Sequence, residues 1–122
     1  MKAILIIEDN DKNLKLVRDV LQFKGYETLE ARTAAEGLRL ARLELPALIL
    51  LDIQLPDFDG MTALARLRAD SSTQAIPVIA VSASAMPDDQ ERILSSGFDD
   101  YITKPIVLQH FIQTVERFVG RP

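Results

Sequence analysis

Short strand-like runs, the first and third wholly apolar, alternate with helix-patterned segments five times along this chain, and few folds accommodate that rhythm. Residues 3–7 read AILII and residues 47–51 read ALILL, with no polar side chain in either run. A strand with one solvated face alternates polar and apolar residues. A strand apolar throughout suits a sheet covered on both faces, the usual setting of parallel strands. Residues 26–31, 77–81 and 101–102 read as three further strands.

Between the strands the apolar period changes to that of a helix. Leu14, Val17, Val20 and Leu21 form a first stripe, with Gly25 as its stop. Thr33 and Glu36 have the spacing of a capping box, ahead of Ala34, Leu38, Ala41 and Leu45. Met61, Leu64 and Leu67 mark a third helix. Pro87 suits the first turn of a fourth, where Asp88, Asp89 and Glu91 complement the helix dipole and Gly97 lies past its end. Leu108, Phe111, Ile112, Val115, Phe118 and Val119 give the clearest amphipathic stripe. Five strand–helix units imply parallel strands with right-handed helical crossovers on both faces of the sheet. In such α/β folds the ligand site lies beyond the carboxyl ends of the strands.

Those ends carry the chemistry. The first strand runs into Glu8-Asp9, the third into Asp52, the fourth into Ser82 and the fifth into Thr103-Lys104-Pro105. If the strands are parallel, three carboxylates, a hydroxyl and an ammonium meet at one edge. Clustered carboxylates repel unless a cation or raised pKa values relieve them. An all-oxygen set without His or Cys suits a hard divalent ion such as Mg²⁺, which keeps water ligands and completes its shell with a phosphate oxygen. Lys104 offers a point charge to the same phosphoryl group, and Ser82 a hydrogen bond.

Each residue also has a plainer reading. The Asp9-Asn10-Asp11 segment could cap the first helix, Ser82 could satisfy a backbone group, and Lys104 could be a solvated charge. The coincidence of reactive types at four strand ends favours the functional reading. An EF-hand is excluded. Asp9, Asp11 and Asn13 fit its first positions, but Leu14 and Val20 stand where it needs glycine and glutamate. Neither GxGxxG nor GxxxxGK[ST] occurs.

The remaining bounds are broad. At 122 residues the chain is expected to form one domain, residues 1–122. Without cysteine it has no disulfide, thiolate zinc site or thiol nucleophile. A net charge of −4 with no basic cluster argues against direct nucleic-acid binding. No apolar stretch is long enough to insert in a membrane or act as a signal peptide, so a cytoplasmic location is the expectation.

The set Glu8-Asp9, Asp52, Ser82 and Lys104-Pro105 resembles that of response-regulator receiver domains of two-component signalling, in order and separation. The stretch LLDIQLPDFDGM carries the same resemblance, with Pro56 four residues after Asp52 and Gly60 eight after. It covers the chain from Lys2 to about Val119. It implies a doubly wound, flavodoxin-like (βα)5 fold with strand order 2-1-3-4-5. It also implies that Asp52 accepts a phosphoryl group from a histidine kinase or phosphotransfer protein. Mg²⁺ would be held by Glu8, Asp9, Asp52 and the backbone carbonyl of Gln54, with Glu8 acting through water. Lys104 and Ser82 would contact the phosphoryl group, and Tyr101 would be the switch aromatic, altering the surface of the fourth helix, fifth strand and fifth helix for a downstream protein partner. Receivers assist their own phosphorylation and dephosphorylation but are regulators rather than enzymes.

The resemblance further implies a cis Lys104–Pro105 bond, phosphoryl-lifetime tuning by Gln54 and Ser84, and kinase docking near Asn13, Leu14 and Val17. Ile106 stands where a larger aromatic is often found. His110 is expected to be solvent-exposed and Tyr26 structural. Only Gly120, Arg121 and Pro122 follow the fifth helix, so no output module is expected, whether the chain stands alone or is a piece of a larger regulator or kinase. The rival from another class is a Mg²⁺-dependent phosphohydrolase with an aspartyl nucleophile in a DxD motif, which Asp9-Asn10-Asp11 matches minimally. That reading leaves Asp52 without a role.

Overall fold

The computed structural model describes residues 3–55, 57, 59–83 and 86–121. Five strands, β1 (Ile4–Ile7), β2 (Thr28–Ala31), β3 (Leu48–Asp52), β4 (Val78–Ser82) and β5 (Asp100–Thr103), form one parallel sheet in the order β2-β1-β3-β4-β5. Helices α1 (Asp11–Phe23), α2 (Ala34–Glu44), α3 (Gly60–Ala69), α4 (Pro87–Ser95) and α5 (Leu108–Val119) alternate with them. This is the expected doubly wound fold and strand order.

The reason the central strands are apolar throughout is that successive side chains serve two cores. Leu5, Ile7, Ile49, Leu51, Val78 and Ala80 pack beneath α2, α3 and α4. Their neighbours Ile4, Ile6, Leu48, Leu50, Ile79 and Val81 pack beneath α1 and α5. A polar residue at any of these positions would be buried on one face or the other, at a cost of several kcal/mol if unpaired, about 2–7 by transfer estimates. The register sets Ile7 beside both Ala31 and Leu51, Asp52 beside Val81, and Ser82 beside Thr103. The polar ends of four strands therefore leave the sheet at nearly one level.

Several boundaries differ from the sequence expectation. β2 begins at Thr28, because the chain leaves α1 through Gly25 at φ 97° and the Tyr26 N–H bonds back to the Leu21 carbonyl. Tyr26 is instead buried between α1 and α5, its hydroxyl donating to the Gly120 carbonyl. Leu45 does not continue the α2 stripe: it is a left-handed C-cap at φ 46° and is exposed. Asp52 and Ser82 close β3 and β4 from within the strands. Leu108 is exposed and the buried stripe of α5 narrows to Phe111 and Val115, joined by Thr114.

The docking expectation for α1 also needs correction. Leu14 and Val17 are buried against the sheet, since they lie on the stripe that makes α1 amphipathic, and Asn13 is half-buried. The side chains α1 exposes include Lys12, Lys15 and Leu16, of which Lys12 lines the cleft at the carboxyl ends of the strands.

Candidate functional site

Asp52 ends β3, the central strand of the sheet, and is only 5% exposed. One carboxylate oxygen, Oδ1, accepts the Gln54 backbone N–H at 3.0 Å, and Oδ2 accepts from Lys104 Nζ at 3.1 Å. Lys104 is brought there from β5 by its own backbone, whose N–H donates to the Ser82 carbonyl at 2.8 Å. The peptide bond that follows, Lys104–Pro105, is cis as expected. The same ammonium lies 3.0 Å from Glu8 Oε1, so it bridges the ends of β1 and β3.

Glu8 is buried as deeply as Asp52. Burial, followed by its contact with the Asp52 carboxylate, raises its pKa to about 7 against the opposing pull of Lys104. For Lys104, burial lowers the pKa, but hydrogen bonds to Glu8 and Asp52 outweigh it and hold the value above that of an ordinary lysine. One ammonium therefore serves two carboxylates at contact distance.

Asp9 adds a third acid and is exposed. Glu8, Asp9 and Asp52 each offer an oxygen such that all three atoms lie within 4.8 Å of one another. Three hard oxygen donors against one lysine leave negative charge in excess. That set fits a divalent ion of the Mg²⁺ type and offers no soft or imidazole ligand. Gln54, Ser82 and Lys104 line the same cleft, which also runs past Asn13. Ser82 is 8% exposed at the end of β4.

The plainer readings hold for the rest of the opening segment. Asn10 is the N-cap of α1, its Oδ1 accepting from Asn13 N–H at 3.0 Å. Asp11 lies in the first turn and pairs with Arg32. Asp11 lines the same cleft but is not part of the Glu8–Asp9–Asp52 oxygen cluster. His110 is exposed, and Ile106 packs partly against the α1–α5 core. Pro56 and Ser84 lie outside the described residues.

The loop after Asp52 is shaped by two features. The Gly60 N–H donates to the Ile53 carbonyl at 2.7 Å, and a β-carbon at Gly60 would stand 2.8 Å from Ile53 Cα and 3.0 Å from the Asp52 carbonyl oxygen. Glycine is required there because backbone meets backbone. Asp59 caps α3 through the Thr62 N–H at 2.8 Å, and that bond holds its carboxyl below the usual range.

Tyr101 is half-buried against the α2–α4 core, and its hydroxyl donates to Gln90 Oε1 on α4 at 2.8 Å. Sequence reasoning missed Gln90, whose position within the polar face of α4 gave no signal. It also missed Asp57, the first of two aspartates around Phe58. Its oxygens accept the Ala34 and Ala35 N–H groups, both at 2.9 Å.

Comparison with known proteins agrees with this geometry. Residues 4–116 match the response regulator receiver domain family. The polar-differentiation response regulator DivK of Brucella ovis is 46% identical over 119 residues, covering 98% of this chain and 97% of that protein. The crystal structure of the receiver domain of a Pseudomonas aeruginosa sensor histidine kinase, with a magnesium ion coordinated in its active-site cleft, superposes with a TM-score of 0.89 at 30% identity. The match covers 98% of each chain. The signal receiver domain of a Syntrophus aciditrophicus histidine kinase gives a TM-score of 0.88 at 32% identity, over 98% of this chain and 91% of that one.

Proposed function

This chain belongs to the response regulator receiver domain family, the phosphoryl-acceptor switches of two-component signalling, and on that premise we propose that Asp52 is its phosphoacceptor. The observation that carries the assignment is the position of Asp52, a buried carboxylate held by the Gln54 N–H and Lys104 between the acids of β1 and the hydroxyl of β4. A carboxylate oxygen of Asp52 attacks the phosphorus of a phosphohistidine on a histidine kinase or phosphotransfer protein. The P–O bond forms, the P–N bond breaks, and the imidazole leaves with a proton taken from solvent.

Glu8, Asp9, Asp52 and the Gln54 carbonyl would hold Mg²⁺. When bound, the ion neutralises charge on the phosphoryl oxygens. Lys104 is already within reach of the acceptor and places a second positive charge beside the transferring group. Once Asp52 is modified, Lys104 exchanges its Asp52 contact for a phosphoryl oxygen, and Ser82 donates a hydrogen bond from the neighbouring strand.

The reading extends to output. The new charge at Asp52 draws Ser82 inward and opens room beside β5, which Tyr101 fills by turning further inward and releasing Gln90. Helix α4 buries only Ile93, so it is the helix least anchored against that change. Residues 1–122 act as one receiver unit, in the cytoplasm, whose α4–β5–α5 surface is read by a downstream protein.

Incubation with phosphoramidate and Mg²⁺, followed by intact mass measurement, tests the function. A single stable phosphoryl adduct is expected. Turnover of phosphate esters without an adduct would favour the phosphohydrolase. In Ser82→Ala the adduct should persist while beryllofluoride-induced amide shifts at residues 86–106 disappear. Unaltered shifts in that variant would refute the coupling.

A further inference from the structure

Two aspartates flank Phe58, and the fold uses them on different helices. Asp59 is a local cap, serving α3, the helix that follows it. Asp57 has a distant target: Oδ1 accepts the Ala34 N–H and Oδ2 the Ala35 N–H, each at 2.9 Å. The first turn of α2 has four N–H groups without helical partners. Thr33 satisfies one of them, its hydroxyl oxygen accepting the Glu36 N–H at 3.2 Å, while its carbonyl accepts the first regular helical bond from the Gly37 N–H at 3.0 Å. Asp57 satisfies two more, those of Ala34 and Ala35. A charged, bidentate bond at the positive end of a helix is among the stronger polar contacts available at a protein surface.

What makes this more than a cap is the position of Asp57 along the chain. Only Gln54, Leu55 and Pro56 separate it from Ile53. Ile53 is itself fixed on both sides, its N–H donating to the Val81 carbonyl at 3.0 Å and its carbonyl accepting from Gly60 at 2.7 Å. The segment carrying the Gln54 N–H, which holds Asp52 Oδ1, and the Gln54 carbonyl is thus pinned at Ile53 and again at Asp57. Releasing the second pin leaves Gln54 constrained from one side only. Partners that orient metal ligands without touching the metal commonly change affinity by about 10–100-fold when removed.

We infer that Asp57 is a positioning residue for the metal and phosphoacceptor site, holding the β3–α3 loop in register by clasping the N-terminus of α2. The inference rests on the proposed Mg²⁺ role of Glu8, Asp9, Asp52 and Gln54. It predicts that changing Asp57 alters metal affinity, whereas changing Thr33, which caps the same helix from within its own segment through the Glu36 N–H, does not.

The test is a titration of wild type, Asp57→Ala, Asp57→Asn and Thr33→Ala with MgCl₂ alone, read by NMR at the amides of residues 8–10 and 52–54, with Tm recorded for each. Wild type should saturate at millimolar Mg²⁺, Asp57→Ala should bind about tenfold more weakly, and Thr33→Ala should lose stability with its Kd unchanged. Asp57→Asn keeps one acceptor oxygen, so it should fall between wild type and Asp57→Ala, and it carries the test if the alanine variant fails to fold. Equal Kd values in wild type and the Asp57 variants would reduce Asp57 to a helix cap and overturn the inference. So would a parallel loss of affinity in Thr33→Ala. Absence of any Mg²⁺ response in the wild type would overturn the reading of the metal site, and the role of Asp57 would fall with it.

Discussion

At opposite edges of one sheet, a single basic side chain gathers several acceptors, and the two clusters are balanced differently. At the amino edge Arg68 donates to the carbonyls of Gln74 (2.9 Å), Ile76 (2.7 Å) and Gly97 (3.3 Å), and to Asp99 Oδ2 at 2.9 Å. The same Asp99 oxygen accepts the Val78 N–H at 2.8 Å. One cation meets one anion, and the other partners are neutral backbone. At the carboxyl edge Lys104 meets Glu8 and Asp52, with Asp9 close by, so acids outnumber bases. The first arrangement is satisfied within the chain and locks the segments entering β4 and β5. The second is left with surplus charge that a metal and a phosphoryl group can resolve. Polar clusters of similar composition can thus be told apart by whether their charges close.

The largest effect should come from breaking the balanced cluster. Arg68→Ala removes an ion pair and three carbonyl bonds at once. It should cost about 3 kcal/mol, roughly 10 °C in Tm, with phosphorylation of the folded fraction retained. Chemical denaturation and phosphoramidate labelling on the same sample would check both parts. If stability is unaffected, the amino-edge cluster is decorative and the comparison fails.

A smaller loss is expected beside it. Thr73 is 1% exposed and its hydroxyl donates to the Leu67 carbonyl at 2.7 Å, near the end of α3. Thr73→Val preserves the shape but strands that carbonyl, at about 1.5 kcal/mol by urea denaturation. At the carboxyl edge the sign should reverse. Glu8→Gln removes a buried charge that Lys104 only partly offsets, so the metal-free variant should be more stable by about 1 kcal/mol and should bind Mg²⁺ more weakly. Destabilisation of metal-free Glu8→Gln would mean that the site is already balanced.

The same distinction bears on what could be read in the sequence. The three inner strands were legible because apolar runs record burial on two faces, and the two edge strands followed from their place in the βα alternation. The site at their carboxyl ends followed from parallel topology and the residues that end them. Lys104 and Asp52 are 52 residues apart, yet the βα rhythm alone brings them to one edge. Boundaries were less legible where backbone conformation decided them, as at Gly25, which delays β2, and Leu45, which turns left-handed. Leu14 and Val17 were assigned both to the stripe of α1 and to a docking surface, and burial allows only the first. Arg68 and Asp57 were silent because their partners are mainly backbone groups from other segments, and a backbone N–H or carbonyl has no letter in the sequence. In Asp57 a trace remained: a second acid beside one that already capped α3.

The central claim is that the carboxyl-edge surplus of charge is organised around one acceptor, Asp52. Its most direct test is to phosphorylate the protein with phosphoramidate and Mg²⁺, reduce the acyl phosphate with borohydride, and locate the reduced residue by tandem mass spectrometry. Reduction at Asp52 alone, with no adduct in Asp52→Asn, is the expected result. Reduction at Glu8 or Asp9, or undiminished labelling of Asp52→Asn, would contradict it.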